Sequence, residues 1–355
     1  MKLDKPDTIK IHFILGSGRS GTTLLFHIFN NHKNIVSSPE LKHLLFFYEK
    51  YQNMTEVTTD LIKDVGHFND IIKQADDMSD YYDFSNTKFT LTLGEKMNYF
   101  EFCQRIYFIF LTPKHRPKEI TTIIDKNPNY TLHVDKLSNL LPDAKFLCVL
   151  RDYRSFVLSN IQSKGYGAKH LPIQYHSLVW MFYNKLVLQI QSSYQKKIEI
   201  LRYEDLVINP EKKTGDLFRF FDLKYDADCL NFQDSIKQKG KEEQRHERIT
   251  NKMNALSKPI NTERLEAWKD VFTRFEIKVI EFWCASTGEK FGYKKTTHIT
   301  VLESIAIIII SIPYYIRVWS YFKLKSVRLD FYLNEVRRAK NLRAFQKQNQ
   351  QTKHN

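Results

Sequence analysis

Residues 14–31 read ILGSGRSGTTLLFHIFNN. The apolar run Ile9–Leu15 predicts a buried strand, Gly16–Gly21 a tight loop, and Thr22–Asn31 a helix with Leu24, Leu25, Ile28 and Phe29 on one face. A strand feeding a glycine-rich turn and then a helix N-terminus makes an anion site, because backbone N–H groups point outward and the helix dipole favours negative charge. Gly16, Gly18 and Gly21 allow the backbone close to an anion. Thr22 and Thr23 add hydroxyl donors. In the triphosphate loop GxxxxGK[ST] a lysine follows the second glycine. Gly16 and Gly21 keep that spacing, but Thr22 stands in the lysine's place and the cation is Arg19, inside the loop. Such a loop is a poor triphosphate clamp, yet its guanidinium can grip a phosphate or the bridging oxygen of a leaving group.

Three further short apolar runs, Ile120–Ile124, Lys145–Leu150 and Ile198–Leu201, read as strands, and Arg154–Ser163 reads as a helix. Strands alternating with helices predict an α/β fold, a central parallel sheet flanked by helices, with ligands at the carboxyl ends of the strands. Arg151 ends the 145–150 strand, where an unpaired guanidinium is costly. It requires either a ligand anion or a protein carboxylate. Ser159 lies two helical turns on, so both can face one ligand. Residues 50–90 read as an inserted segment of helices and loops. Residues 233–262 read as a solvated charged helix or a lid. The domain is expected to span 1–295, followed by a helical extension over 296–355, hydrophobic and then basic.

The chain has 355 residues, 42% hydrophobic and 14% aromatic, enough for a sizeable core; 11 Gly and 10 Pro exclude a fibrous or low-complexity chain. The four cysteines, Cys103, Cys148, Cys229 and Cys284, form no CxxC. They read as buried thiols in a reducing compartment, with no metal site. The N-terminus leaves no room for a signal peptide before Ile9, so a cytoplasmic location is expected. Net charge is +14, and from Arg317 onward ten Lys/Arg face two Asp/Glu. The excess suits a polyanionic ligand and an acidic surface. No nucleic-acid-reading motif accompanies it. Ile299–Ile316 holds one charge in 18 residues, with Glu303 and Pro313 counting against a membrane span. The basic, aromatic RVWSYFKLK after it suits a membrane interface. In-plane membrane association is expected, with a span, burial against the domain or an oligomer contact as alternatives. The final QKQNQQTKHN reads as disordered.

Arg19-Ser-Gly-Thr-Thr23 and the segment FLCVLRDYRSFVLSNI resemble the sulfotransferase family, whose 5'-phosphosulfate loop has the form [KR]-x-G-[ST]-[ST] and whose second signature carries an Arg and, eight residues on, a Ser. The resemblance covers about residues 9–295 and is nearest to the tyrosylprotein and Golgi-type branch. It implies a P-loop-like fold and 3'-phosphoadenosine 5'-phosphosulfate (PAPS) as sulfuryl donor, without a metal. Gly18, Arg19, Ser20, Gly21, Thr22 and Thr23 would hold the 5' end, Arg151 and Ser159 the 3'-phosphate, and Tyr203 would pack near the adenine. Arg19 and Lys126, in the K-x-P segment, would neutralise the moving sulfuryl group. Glu40 would be the general base, with His43 as the rival and His27 left to packing. KPINTERLEAW resembles the stretch that closes over the nucleotide, but Glu266 replaces a serine of the tyrosylprotein branch. The acceptor is an unspecified hydroxyl, on a carbohydrate, a lipid or another molecule. The alternatives are a P-loop nucleotide kinase and a non-catalytic nucleotide- or membrane-binding protein.

Overall fold

The computed structural model describes residues 9–40, 43–75, 91–107, 119–162, 171–233 and 259–324. Its five strands are β1 (Lys10–Gly16), β2 (Ile35–Pro39), β3 (Thr122–Lys126), β4 (Phe146–Leu150) and β5 (Ile198–Arg202). They form one parallel sheet in the order β2-β3-β1-β4-β5. The helices used below are α1 (Thr22–Asn30), α2 (Thr59–Ala75), α3 (Tyr99–Tyr107), α4 (Tyr153–Ile161), α5 (Ile173–Ser193), α6 (Tyr203–Ile208), α7 (Arg274–Glu289) and α8 (Val301–Leu324).

The chain divides into two compact units, His12–Asn31 with Lys126–Lys325 forming the larger. In it, Phe13 pairs with Phe146 and Gly16 with Val149 along β1 and β4, and Phe146 pairs with Ile198 along β4 and β5. β4 reads FLCVL and is buried throughout, as a central parallel strand covered on both faces must be. Helix α4 packs on α5 and α7 through Tyr153, Phe156, Trp180, Ile280 and Cys284. In the smaller unit, the Phe47 ring lies 5.1 Å from Phe68 of α2 and 5.8 Å from Phe102 of α3.

Expected and observed strands agree within two residues, except that β2 was not expected. Its sequence IVSSP offers only two β-branched residues before two serines. Ser37 satisfies its hydroxyl on the Ile124 carbonyl of β3, at 3.1 Å, and so becomes acceptable inside the sheet. The inserted segment contains the 17-residue α2. Most of the 233–262 segment, residues 325–355 and the expected disorder at 346–355 lie outside the described residues.

Helix α8 bears out the expected helical extension and lengthens the apolar segment Ile299–Ile316. It runs 24 residues and absorbs the basic, aromatic stretch as far as Leu324, and Pro313 lies inside it. Thr300 and Glu303 form a capping box: the Thr300 N–H and hydroxyl donate to the Glu303 carboxylate at 2.9 and 3.1 Å, and the Glu303 N–H donates back to the Thr300 hydroxyl. Glu303 therefore starts the helix rather than interrupting it, and its carboxylate also pairs with Lys278 of α7. One face of α8 docks on α5 and α7. Trp283 donates to the Ser311 hydroxyl at 3.0 Å, and Phe322 packs 5.0 Å from Tyr183 and 5.3 Å from Phe182.

Candidate functional site

The site in the larger unit is built around the β1–α1 loop. Gly16 ends β1 at φ 126°, and a Cβ there would sit 2.4 Å from the Val149 carbonyl oxygen, so only glycine lets β1 pass β4 at this point. Its N–H donates to the Thr131 hydroxyl at 2.8 Å, which fixes where the loop leaves the sheet. The buried Ser17 and Ser20 hydroxyls meet at 2.8 Å across the turn. Gly21 takes the N-cap position at φ 97° without a side-chain cap. Helix geometry leaves the first-turn amides, those of Thr22 and Thr23 included, without intrahelical partners.

Arg19 adopts φ 73°, a left-handed conformation that non-glycine residues seldom take. Its Nε donates to the Ser159 hydroxyl of α4 at 3.2 Å. The two motifs, 140 residues apart, thus meet through their own side chains. Arg151 sits at the end of β4, 8% exposed, with its guanidinium carbon 4.8 Å above the Tyr203 ring centroid. The same ring covers Gly21, so Gly21, Tyr203 and Arg151 form a stack at the strand ends. Arg151 has no carboxylate partner among the described residues. Its Nη2 donates to the Arg264 carbonyl at 3.2 Å, and its buried Nε lacks any hydrogen-bond acceptor. Burial depresses its pKa, with Tyr203 and Glu204 opposing. The donor set fits an anion.

The 259–270 stretch lies over this stack. Arg264 accepts from Arg151, and the Leu265 carbonyl accepts from the Ser155 hydroxyl at 2.7 Å. Glu266 is exposed and pairs with Lys269 at 2.7 Å. Lys126 ends β3 and is 2% exposed; the next residue's N–H joins β1 at the Ile14 carbonyl, at 2.9 Å. His27 stacks on Phe232 at 5.9 Å.

Glu40 and His43 belong to the smaller unit. Glu40 follows the carboxyl end of β2, is exposed, and adopts φ 67°. It and Arg19 are two of three non-glycine residues with positive φ among the described residues. Such strain, ~1–3 kcal/mol each, clusters at functional sites. His43 is fully buried, edge-on to Tyr107 at 4.6 Å, and burial lowers its pKa to about 3.

The residues that hold Arg151 in place were not picked out from the sequence. Its carbonyl accepts from Trp180 Nε1 at 2.9 Å. The next N–H, that of Asp152, donates to Glu204 at 2.8 Å, and Glu204 also accepts from the Tyr293 hydroxyl at 2.8 Å. Burial raises the Glu204 pKa. Asp152 caps α4 and pairs with Arg154, whose other edge reaches Glu281 of α7 at 3.2 Å. The available signal was Asp152 two residues before Arg154, a cap-and-pair spacing.

The profile of the sulfotransferase family matches residues 12–227, more than half of the chain. The chain belongs to the sulfotransferase family. Among curated relatives, the protein-tyrosine sulfotransferase 1 of Danio rerio is 28% identical over 153 residues, which cover 41% of each chain. The chain spans about half the length of the curated relatives it matches. Among solved structures, the sulfotransferase domain of the Synechococcus PCC 7002 olefin synthase superposes with a TM-score of 0.50 at 21% identity, over 83% of this chain and 99% of that one. This superposition shows that the two share a fold.

The loop geometry predicts unequal glycines. Gly21→Ala places a methyl 2.3 Å from the Tyr203 ring at φ 97°, whereas a Cβ on Gly18 meets nothing within 4 Å. Gly21→Ala should cost ~1–3 kcal/mol of stability or more and Gly18→Ala less than ~0.5 kcal/mol, as measured by denaturant unfolding. Equal costs would mean that Tyr203 does not pack on the loop.

Proposed function

We propose that this sulfotransferase moves a sulfuryl group from PAPS to an acceptor hydroxyl. The observation that carries this reading is the Arg19–Ser159 hydrogen bond, which brings both signature motifs together at the strand ends, beside an Arg151 whose buried Nε has no hydrogen-bond partner. In this reading the loop amides of Gly18–Thr23 and the Arg19 guanidinium hold the 5'-phosphosulfate. Arg151 and Ser159 hold the 3'-phosphate, and Tyr203 supports the adenine. The S–O bond to the phosphate breaks as the acceptor oxygen takes the sulfur, and adenosine 3',5'-bisphosphate leaves. Arg19 and Lys126 offset the charge that develops on the leaving phosphate and the sulfuryl oxygens. Glu40 accepts the acceptor's proton; its exposure and strained backbone support it over the buried His43. The acceptor class we commit to is a hydroxyl. A tyrosine hydroxyl would match the relatives' names, while the exposed Glu266 stands where their branch carries serine. The four free, buried cysteines support a cytoplasmic location.

Calorimetry separates this reading from a kinase. Adenosine 3',5'-bisphosphate should bind without Mg²⁺, and Arg151→Ala should weaken it by ~10-fold or more, the worth of a charge-assisted phosphate contact. Tighter binding of ATP that requires Mg²⁺ would overturn the proposal.

A further inference from the structure

The face of α8 opposite its docked side is exposed and apolar for nearly its whole length. Val301, Leu302, Ile305, Ile309, Ile312 and Ile316 lie along it, at spacings that keep them on one side of the helix. From residue 301 to 316 the single charge is Glu303, and it is held by Thr300 and Lys278. No ionised group interrupts about four turns of apolar surface, which is unusual on a monomeric soluble protein. Aromatic and basic residues come where the apolar run ends: Tyr315, Trp319 and Tyr321 are exposed, and Arg317 stacks on Tyr175 at 5.2 Å. The chain from Arg317 onward carries ten Lys/Arg and two Asp/Glu.

We propose that this face of α8 docks in the plane of an anionic lipid surface and carries the larger unit with it. An apolar stripe ending in Trp, Tyr and basic residues is the composition that a headgroup–acyl boundary takes up. The strong basic excess selects anionic lipid over a second copy of this chain, which would bring the same positive charge against itself. Length and composition alone would also let α8 cross a membrane. Crossing, however, would strip its other face from the domain. The Trp283–Ser311 bond, the Lys278–Glu303 pair and the packing of Phe322 on Phe182 and Tyr183 would all be lost into hydrocarbon. An in-plane helix keeps those contacts and buries the exposed stripe as well. The inference does not depend on the reaction: it concerns lipid binding and is read without turnover.

The test uses the full chain and vesicles of phosphatidylcholine with or without phosphatidylserine. The wild type should co-sediment with the serine-containing vesicles, weakly with pure phosphatidylcholine, and less as salt rises. The double variant Ile309→Glu/Ile316→Glu changes only exposed side chains, so it should keep the wild-type melting profile and lose at least ~10-fold in partitioning. Three results would overturn the proposal. The first is a wild type that ignores anionic vesicles at low salt. The second is a dimer, seen by light scattering, that the double variant dissociates while lipid binding is absent. The third is a membrane-bound form that resists carbonate extraction, which would mark a spanning helix.

Discussion

Glu40→Gln is expected to lower kcat by ~10²-fold or more, the usual scale for loss of a general base, while adenosine 3',5'-bisphosphate binds as it does to the wild type. Glutamine is isosteric with glutamate, so the substitution removes the charge without changing the side chain's size at the φ 67° position. His43→Ala is expected to behave in the opposite way. It removes a buried ring packed edge-on against Tyr107, so it should lower stability before it touches the chemistry. The two side chains thus separate by kind of defect, read from steady-state rates beside thermal melts. Normal turnover in Glu40→Gln, together with a folded but inactive His43→Ala, would move the base to His43.

The second large effect is structural. Glu281 is 1% exposed, and its carboxylate accepts from the N–H and hydroxyl of both Thr296 and Thr297 as well as from Arg154. Glu281→Ala takes the acceptor from the exposed Thr296 and the half-buried Thr297, and it removes one of the two carboxylates facing the buried Arg154. The expected loss is ~3–5 kcal/mol, the range for breaking a buried ion pair from one side. Arg154 would keep Asp152, at 3.0 Å from Nε and 2.6 Å from Nη2, so the chain should still fold in the cold. Because Thr296 and Thr297 lead directly into α8, vesicle binding should weaken alongside stability. The exposed Glu266–Lys269 pair provides the contrast, since Glu266→Ala should leave the unfolding midpoint unchanged. A Glu281→Ala midpoint equal to that of Glu266→Ala would show that the network contributes nothing.

The loop at Gly16–Gly21 could be read from sequence because its glycines, its cation and its flanking strand are adjacent in the chain. The same holds for β4 with Arg151 and for the eight-residue step to Ser159. Local pattern fails where a residue's meaning comes from a distant partner. Ser37 and Ser38 look unlike a strand until β3 lies beside them. Glu303 looks like an interruption of an apolar helix until its capping bonds to Thr300 and its pairing with Lys278 are seen. Glu204, Glu281 and Tyr293 look like ordinary surface chemistry until burial makes them the frame that holds Arg151 and Arg154.

By itself the sequence determined the α/β class, the glycine loop between β1 and α1 and the placement of the two arginines, since period, glycine placement and charge are properties of neighbouring residues. The tertiary structure decided that Arg19 meets Ser159 across 140 residues, that Arg151 pairs with no carboxylate among the described residues, and that α8 has one docked face and one bare one. Each of these depends on which groups share a low-dielectric space and which still meet water, and chain order does not encode that.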